Sequence, residues 1–401
     1  MKDQRFHQWI TVLLILLWAT GCAPVEKQAD ASEQEEPKAT FVANPQTVTE
    51  REVPTLAIGA AAPDFNLPGV DGKYYTLADF SASKALLIVF TCNHCPTAQA
   101  YEDRLIDLTN DYKDQGLAVV GISPNSPLSL LYEELGYSDL NDDYEDMVLR
   151  SDYKKYNFPY LYDGDNEEAS LKYGPVATPH AFLFDEDRKL QYVGQIDGSE
   201  KPGTANAEVL RAAIDAVLSG ETPAEAVTKT FGCSTKWGWK TAYKKKVEKE
   251  WAEKAVSLEA IDAAGITQLL KNEDSDKLRL INVWATWCGP CVIEYPDFIV
   301  LQRMYGARDF EFISLSADKI AQQDKALKFL QSKNSAVKNY IFNGDDIYQM
   351  VEAVDESWNA ALPYTILVEP GGKIVYQKQG EADFLELKRA IVDHSMIGRY
   401  Y

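Results

Sequence analysis

Histidine is scarce in this chain, with four residues among 401: His7, His94, His180 and His394. So few leave little material for histidine-rich metal centres or for Ser-His-Asp chemistry. Positive charge is short as well, with 40 Lys and Arg against 61 Asp and Glu and a formal net charge of −21. A surface this acidic repels phosphate backbones, which argues against general nucleic-acid binding. The N-terminal apolar run, Trp9 to Ala19, stops short of the ~20 residues that cross a bilayer. What is present is a hydrophobic fraction of 46% with 11% aromatic residues, the composition of a packed protein and not of an acidic disordered one. At ~100 to 200 residues per domain, the length allows two or three domains. The chemistry-bearing residues that remain are six cysteines, Cys22, Cys92, Cys95, Cys233, Cys288 and Cys291.

The first cysteine closes an export signal. Lys2 and Arg5 precede the apolar run, and Ala19-Thr20-Gly21-Cys22 follows it. Charge, apolar stretch and small residues in that order make residues 1–21 a secretory signal. The last four residues resemble a bacterial lipobox, with Ala19 where Leu is more usual. The resemblance implies that Cys22 is lipidated and becomes the new N-terminus, whereas ordinary cleavage would leave it a free thiol. Residues 22–54 carry Glu26, Asp30, Glu33, Glu35 and Glu36 among Pro24, Pro37, Pro45 and Pro54, with almost no apolar periodicity. Such a segment cannot bury enough surface to order itself and reads as a disordered tether. The expectation is an extracytoplasmic, membrane-anchored lipoprotein on the periplasmic side.

Four cysteines form two Cys-x-x-Cys motifs, Cys92-Asn93-His94-Cys95 and Cys288-Gly289-Pro290-Cys291, and their surroundings repeat. Each follows a short apolar run with strand character, Ala85 to Phe90 and Leu280 to Ala285. Each precedes a helical pattern: Ala98, Tyr101, Leu105, Leu108 and Tyr112 up to Gly116, then Val292, Tyr295, Ile299 and Val300 up to Gly306. Further strands follow at Leu117 to Ser123 and at Phe310 to Ser316, so each unit is a βαβ crossover. Both halves then reach a Pro segment and a hairpin: Thr178-Pro179-His180 before 181–184 and 190–193, and Leu362-Pro363-Tyr364 before 365–368 and 373–376. The expected fold is α/β, two domains each with a central mixed sheet flanked by helices, over 55–237 and 258–401. Residues 238–257 between them, with Lys240, Lys244, Lys245, Lys246 and Lys249 interleaved with Glu248, Glu250 and Trp251, read as an exposed charged helix.

A Cys-x-x-Cys at a strand-to-helix turn is a redox device. The first sulfur faces unsatisfied helix N–H groups and the positive end of the dipole, which favours the thiolate. The second cysteine returns on the same helical turn and resolves the mixed disulfide that the first one forms. A shared Cys₄ zinc site would need the two pairs within ~15 to 20 residues of one another, and they are far further apart. Neither metal nor cofactor is expected.

The second half resembles the thioredoxin family through Trp284-Ala285-Thr286-Trp287-Cys288-Gly289-Pro290-Cys291, with Pro296 at the family's helix-kinking position and Pro363 at its cis-Pro. The likeness is closest to the TlpA-like, membrane-tethered branch, which serves extracytoplasmic thiol reduction and cytochrome c maturation. Asn282 stands where cytoplasmic thioredoxins carry a buried Asp, and Glu294 stands where that branch places its carboxylate. Independently of family, a spacing of three puts Glu294 on the same side of the helix as Cys291, within reach of its proton; the alternative is a surface Glu.

The first half resembles the AhpC/TSA-type redoxins related to peroxiredoxins. The likeness runs through Ala62-Pro63-Asp64-Phe65, Phe90-Thr91-Cys92-Asn93-His94-Cys95-Pro96, Phe158 to Asp163, Ala177-Thr178-Pro179-His180 and Phe231-Gly232-Cys233-Ser234. Peroxiredoxins place Thr three residues before the peroxidatic Cys, and here that residue is Cys92, which favours dithiol chemistry over peroxidase chemistry. The catalytic expectation is therefore Cys92, Cys95, Cys288, Cys291 and Glu294, tuned by His94, Pro179, Pro290 and Pro363.

A charged His94 would stabilise the reduced first pair and make it the more oxidising. A gap of about 60 mV would favour transfer from the second pair by about 2.8 kcal/mol, giving an internal relay; two independent domains on one tether are the alternative. The oxidant would be a protein disulfide or a peroxide, and the reductant a membrane thiol protein. A copper chaperone using Cys92, His94 and Cys95, with His180 as a distant fourth donor, is the other class. Cys233 reads either as a resolving thiol or as a buried inert one.

Overall fold

The computed structural model describes residues 41–49, 52–201 and 203–399; the expected signal, Cys22 and most of the tether lie outside them. Two sheets carry the fold. In the first, the strand order is Tyr160–Tyr162, Leu117–Ser123, Ala85–Phe90, His180–Phe184, Leu190–Gly194. The first three run parallel and the last two antiparallel, with Ala85 opposite Leu117 and Phe90 opposite His180. In the second, the order is Glu259–Ile261, Lys338–Phe342, Phe310–Ser316, Leu278–Trp284, Tyr364–Val368, Ile374–Gln379. The parallel and antiparallel sides are arranged in the same way.

The central strands are apolar along their whole length because both faces are covered. Leu87 and Val89 point into one cluster with Tyr101, Leu105 and Ile214, while Leu86, Ile88 and Phe90 point into the other with Phe65 and Phe182. Each such aliphatic side chain stabilises the fold by about 2 kcal/mol through burial. Helices Pro96–Tyr112 and Gly289–Tyr305 follow the two cysteine turns; the first runs on through a 3-10 turn, Lys113–Gln115, that Gly116 stops, and the second is stopped at Gly306. The Thr178-Pro179 and Leu362-Pro363 peptides are both cis.

Two expectations need correction. Residues 41–49, assigned to the solvated tether, lie against the first sheet. Phe41 packs among Tyr74, Tyr144 and Tyr162, and the N–H groups of Asn44 and Gln46 donate to Asp165. Phe41 is the aromatic anchor of this segment. The helix Thr241–Ala252 is not exposed all round either. Lys244, Val247, Glu248 and Trp251, spaced by three and four, are half-buried. Trp251 packs on the second core, and Glu248 pairs with Arg303 at 2.6 Å.

The two sheets are joined through the segment from Leu130 to Asp142. Leu130 and Leu135 enter the second domain's core. The hydroxyl of Tyr305 donates to the Ser138 carbonyl at 2.8 Å, and Asp139 receives Arg389 at 3.0 Å and Arg399 at 2.8 Å.

Candidate functional site

The two Cys-x-x-Cys turns differ in where the helix starts. In the second domain Cys288 is the N-cap, Pro290 sits in the first turn, and the Cys291 N–H donates to Cys288 Sγ at 3.4 Å. In the first domain the helix begins at Pro96, so the N-cap is Cys95, the second cysteine of its pair. The expectation that Cys92 would hold this place is corrected, and the reason is local. Proline lacks an N–H and has a fixed φ, so it is accepted in the first turn, where no intrahelical bond is lost. Pro96 therefore sets the start one residue after Cys95.

Cys288 and Cys291 form a disulfide, and Cys92, Cys95 and Cys233 are free thiols. Glu294 is buried, not the surface residue of the alternative reading, and its Oε2 accepts the Ala382 N–H at 2.9 Å. Burial pushes its carboxyl up to about 7, helped by Glu381 and opposed by the Ala382 N–H and by Asn282. Asn282 donates to Thr365 at 3.1 Å in the adjacent strand. The carbonyl of Pro363 accepts the Gly380 N–H at 2.9 Å, fixing the cis turn. Trp287, next to Cys288, is 64% exposed.

The first site is closed by comparison. Cys92 is 2% exposed, His94 1% and Cys95 0%. A buried imidazole in contact only with apolar groups would be neutral, but His94 Nδ1 lies 2.6 Å from Asp142 Oδ2. Burial works against its charge, and the Asp142 carboxylate more than offsets this, so the His94 pKa is raised. Asp142 in turn accepts the backbone N–H groups of Asn93 and His94, both at 2.9 Å, and the Asn125 amide at 2.7 Å. Against the pull of burial, His94 and these donors hold it below the usual carboxylate range. One carboxylate thus shapes the turn and favours the charged form of its histidine.

The three free sulfurs meet beside the cis turn. Cys92 Sγ lies 3.1 Å from Thr178 Oγ1 and 3.4 Å from His94 Nδ1. As a thiol, Cys95 donates to the Thr178 carbonyl at 3.1 Å. As a thiolate it accepts the Cys233 N–H at 3.3 Å. Burial resists that ionisation, but hydrogen bonds from the Cys233 and Cys92 thiols, the charge on His94 and the Ala98 N–H draw the Cys95 pKa well below its ordinary value. Burial, the Cys95 sulfur and Asp142 push Cys92 the other way. The acidic thiol of this pair is Cys95.

The sulfur of Cys92, Nδ1 of His94 and a carboxylate oxygen of Asp142 lie within 4.8 Å of one another, and the ion pair and hydrogen bonds already engage these atoms. His180, the proposed distant copper donor, receives the Val176 N–H at 3.4 Å and packs on Phe182, and burial lowers its pKa to about 4. Sequence reasoning missed Asp142, Thr178 and Asn125. Asp142 stands 48 positions from His94 in a stretch with several acidic residues, and nothing local distinguishes it.

Residues 58–193 match the AhpC/TSA family and residues 249–391 match the family described as Redoxin. A Mycobacterium tuberculosis protein whose name assigns it provisionally to the peroxiredoxins is 32% identical over 148 residues, covering 34% of this chain and 82% of that protein. The thiol:disulfide interchange protein CycY of Rhizobium leguminosarum bv. viciae is 30% identical over 123 residues, 29% of this chain and 57% of that protein. The thiol-disulfide oxidoreductase ResA of Bacillus cereus is 29% identical over 102 residues, 25% of this chain and 54% of that protein. This chain thus spans little more than half the length of those last two. Among solved structures, a hypothetical protein from Sinorhizobium meliloti 1021 is 35% identical with a TM-score of 0.41, over 46% of this chain and 97% of that one.

Proposed function

The chain belongs to the thioredoxin-like thiol-disulfide oxidoreductases, an AhpC/TSA domain followed by a redoxin domain, and on that premise we propose that its two cysteine pairs form one electron path. Cys288 and Cys291 take two electrons from an external thiol protein and pass them to Cys92 and Cys95, which reduce a protein disulfide. The observation that carries the direction is the contrast in charge around the sulfurs. The first pair has His94 beside it, and the Asp142 carboxylate shifts that imidazole toward its charged form, which favours the reduced, thiolate form and so a higher potential. The second pair shares its helix with the buried carboxyl of Glu294, which disfavours a nearby thiolate once ionised.

The first site is tied through Ser138 and Tyr305 to the last turn of helix Gly289–Tyr305, and Cys288 caps its first turn. Those 17 residues span about 25 Å. Transfer between the pairs therefore runs between two copies, or after the domains part. Domains 55–237 and 258–401, export, and tethering through Cys22 complete the reading; no helix among the described residues is long and apolar enough to cross a membrane.

The test is a redox titration of the full chain in glutathione buffers, with the two pairs read separately by mass labelling. The first pair should lie about 60 mV or more above the second; a first-pair potential equal to or below the second reverses the direction. A second reading, with peroxide as the oxidant, is favoured by the complete burial of Cys95, which admits a small oxidant more readily than a protein. Hydrogen peroxide consumption by the fully reduced chain, lost in Cys95→Ser, would establish that oxidant.

A further inference from the structure

We propose that Cys233 is a third redox thiol of the first domain, the port through which an incoming protein dithiol reduces the buried Cys92-Cys95 pair; this rests on the thiol-disulfide reading above. Cys92 and Cys95 are 2% and 0% exposed, so another protein's sulfur has no direct line to either. Cys233 is a partly exposed residue where Cys92 and Cys95 are buried, and it belongs to the same sulfur cluster.

The chain is built to hold it there. The two-residue strand Cys233–Ser234 pairs with Ala177–Thr178, setting Cys233 opposite Thr178. On either side, Thr230 Oγ1 donates to the Pro179 carbonyl at 2.9 Å and Thr235 Oγ1 to the Pro175 carbonyl at 2.8 Å. Gly232 adopts φ +139°, and a Cβ there would meet the Thr178 carbonyl oxygen at 2.1 Å, so only glycine lets the strand approach this closely. The Cys233 N–H reaches Cys95 Sγ at 3.3 Å, and the thiols of Cys233 and Cys92 both hydrogen-bond the Cys95 sulfur. Cys95 thus has two possible disulfide partners, one buried and one partly exposed.

The exchange balances without a further reagent. A protein disulfide reaches the first pair by the same port: Cys233 attacks it and releases one substrate thiol, Cys95 attacks Cys233 Sγ and releases the other, and Cys92 attacks Cys95 Sγ and frees Cys233. The substrate thus takes two electrons and two protons and leaves a Cys92-Cys95 disulfide. Cys233, deprotonated, attacks Cys95 Sγ; the Cys95-Cys233 bond forms, the Cys92-Cys95 bond breaks, and Cys92 leaves as a thiolate that takes up the proton Cys233 released. One thiol of the incoming protein dithiol attacks Cys233 Sγ and releases Cys95. Its second thiol then displaces Cys233, and the partner departs as a disulfide. The partner has supplied two electrons and two protons, and all three cysteines are reduced again.

The full-length Cys92→Ser chain is oxidised with diamide, alkylated, digested without reductant and mapped by mass spectrometry. A Cys95-Cys233 peptide should be the main first-domain product. Cys95 recovered alkylated, or linked only to a second molecule, overturns the proposal. In full-length Cys233→Ser, reduction of the Cys92-Cys95 disulfide by reduced thioredoxin should slow about tenfold or more while reduction by a small phosphine is unchanged. An unchanged thioredoxin rate, or equal loss with both reductants, overturns it as well. Failure of the unaltered chain to turn over any protein disulfide would sink the oxidoreductase reading, and the Cys92→Ser map decides the role of Cys233 independently of that result.

Discussion

The same four-residue pattern is used in opposite registers in the two halves. In the second domain the first cysteine caps the helix, beside an exposed Trp287; in the first domain the second cysteine does so, in a pocket where the four motif residues are 0 to 2% exposed. The difference traces to proline, inside the motif at Pro290 and directly after it at Pro96. A Cys-x-x-Cys therefore does not by itself say which sulfur attacks. The first residue of the helix does.

The largest effect should come from the cysteines themselves. Cys95→Ser should abolish first-domain turnover, by about a thousandfold or more, with Cys92→Ser less damaging. In the second domain the order reverses, with Cys288→Ser worse than Cys291→Ser. Single-turnover reduction of a disulfide peptide measures both, and a Cys92→Ser chain more impaired than Cys95→Ser would break the comparison.

Next is the buried ion pair that only the first site has. Asp142→Asn leaves His94 without its carboxylate and should cost about 3 kcal/mol in urea unfolding. The sign with pH follows from the two shifts. Burial opposes the charge on both partners, yet each holds the other ionised, so His94 is raised above 6.5 and Asp142 lowered below 3.8. The His94 contribution is complete below pH 6.5 and is lost as pH rises through its raised folded value. That of Asp142 is present above pH 3.8 and is lost as pH falls through its lowered folded value. The gap between the unaltered chain and Asp142→Asn should thus be widest between those two limits. A gap independent of pH would mean that the hydrogen bonds of Asp142, not its charge, dominate.

A smaller change is expected at Glu294, the second site's counterpart. Glu294→Gln should slow resolution of the Cys288 mixed disulfide about tenfold and remove a pH inflection near 7, where this carboxyl titrates. Because burial raises its pKa from 4.5 to about 7, the folded second domain loses stability as pH rises across that interval. The Gln variant should therefore melt higher than the unaltered chain at about pH 8 and not at about pH 4. Unchanged kinetics would assign Glu294 a structural role only.

The smallest effect tests the join between the halves. Arg399→Ala removes one of two partners of Asp139 and, being partly exposed, should cost about 1 kcal/mol or less. The loss should appear as faster proteolysis between residues 238 and 257 while both cysteine pairs keep their potentials.

Much of the fold was legible along the chain. The strands Ala85–Phe90, Leu117–Ser123 and Phe310–Ser316 fall where the apolar runs place them, the second helix stops at Gly306, and the first ends at Tyr112 with only a 3-10 turn reaching Gly116. Burial on both faces writes a strand as an unbroken apolar run, and caps are local chemistry. The charged helix and the last part of the tether were misread because composition dominates both. Phe41 and Trp251 are single aromatic residues, and only their partners show that they anchor something.

By itself the sequence determined the α/β duplication and the placement of each cysteine pair between a strand and a helix. Those features depend on residues within a few positions of one another. Only the tertiary structure decided that Asp142 meets His94 across 48 positions and that Cys233 reaches Cys95 across 138. Contacts at such separations carry no periodicity or spacing signal. They exist because the sheet, the cis turn at Pro179 and the close approach at Gly232 bring distant backbone together, and only then do three thiols and an ion pair act as one site.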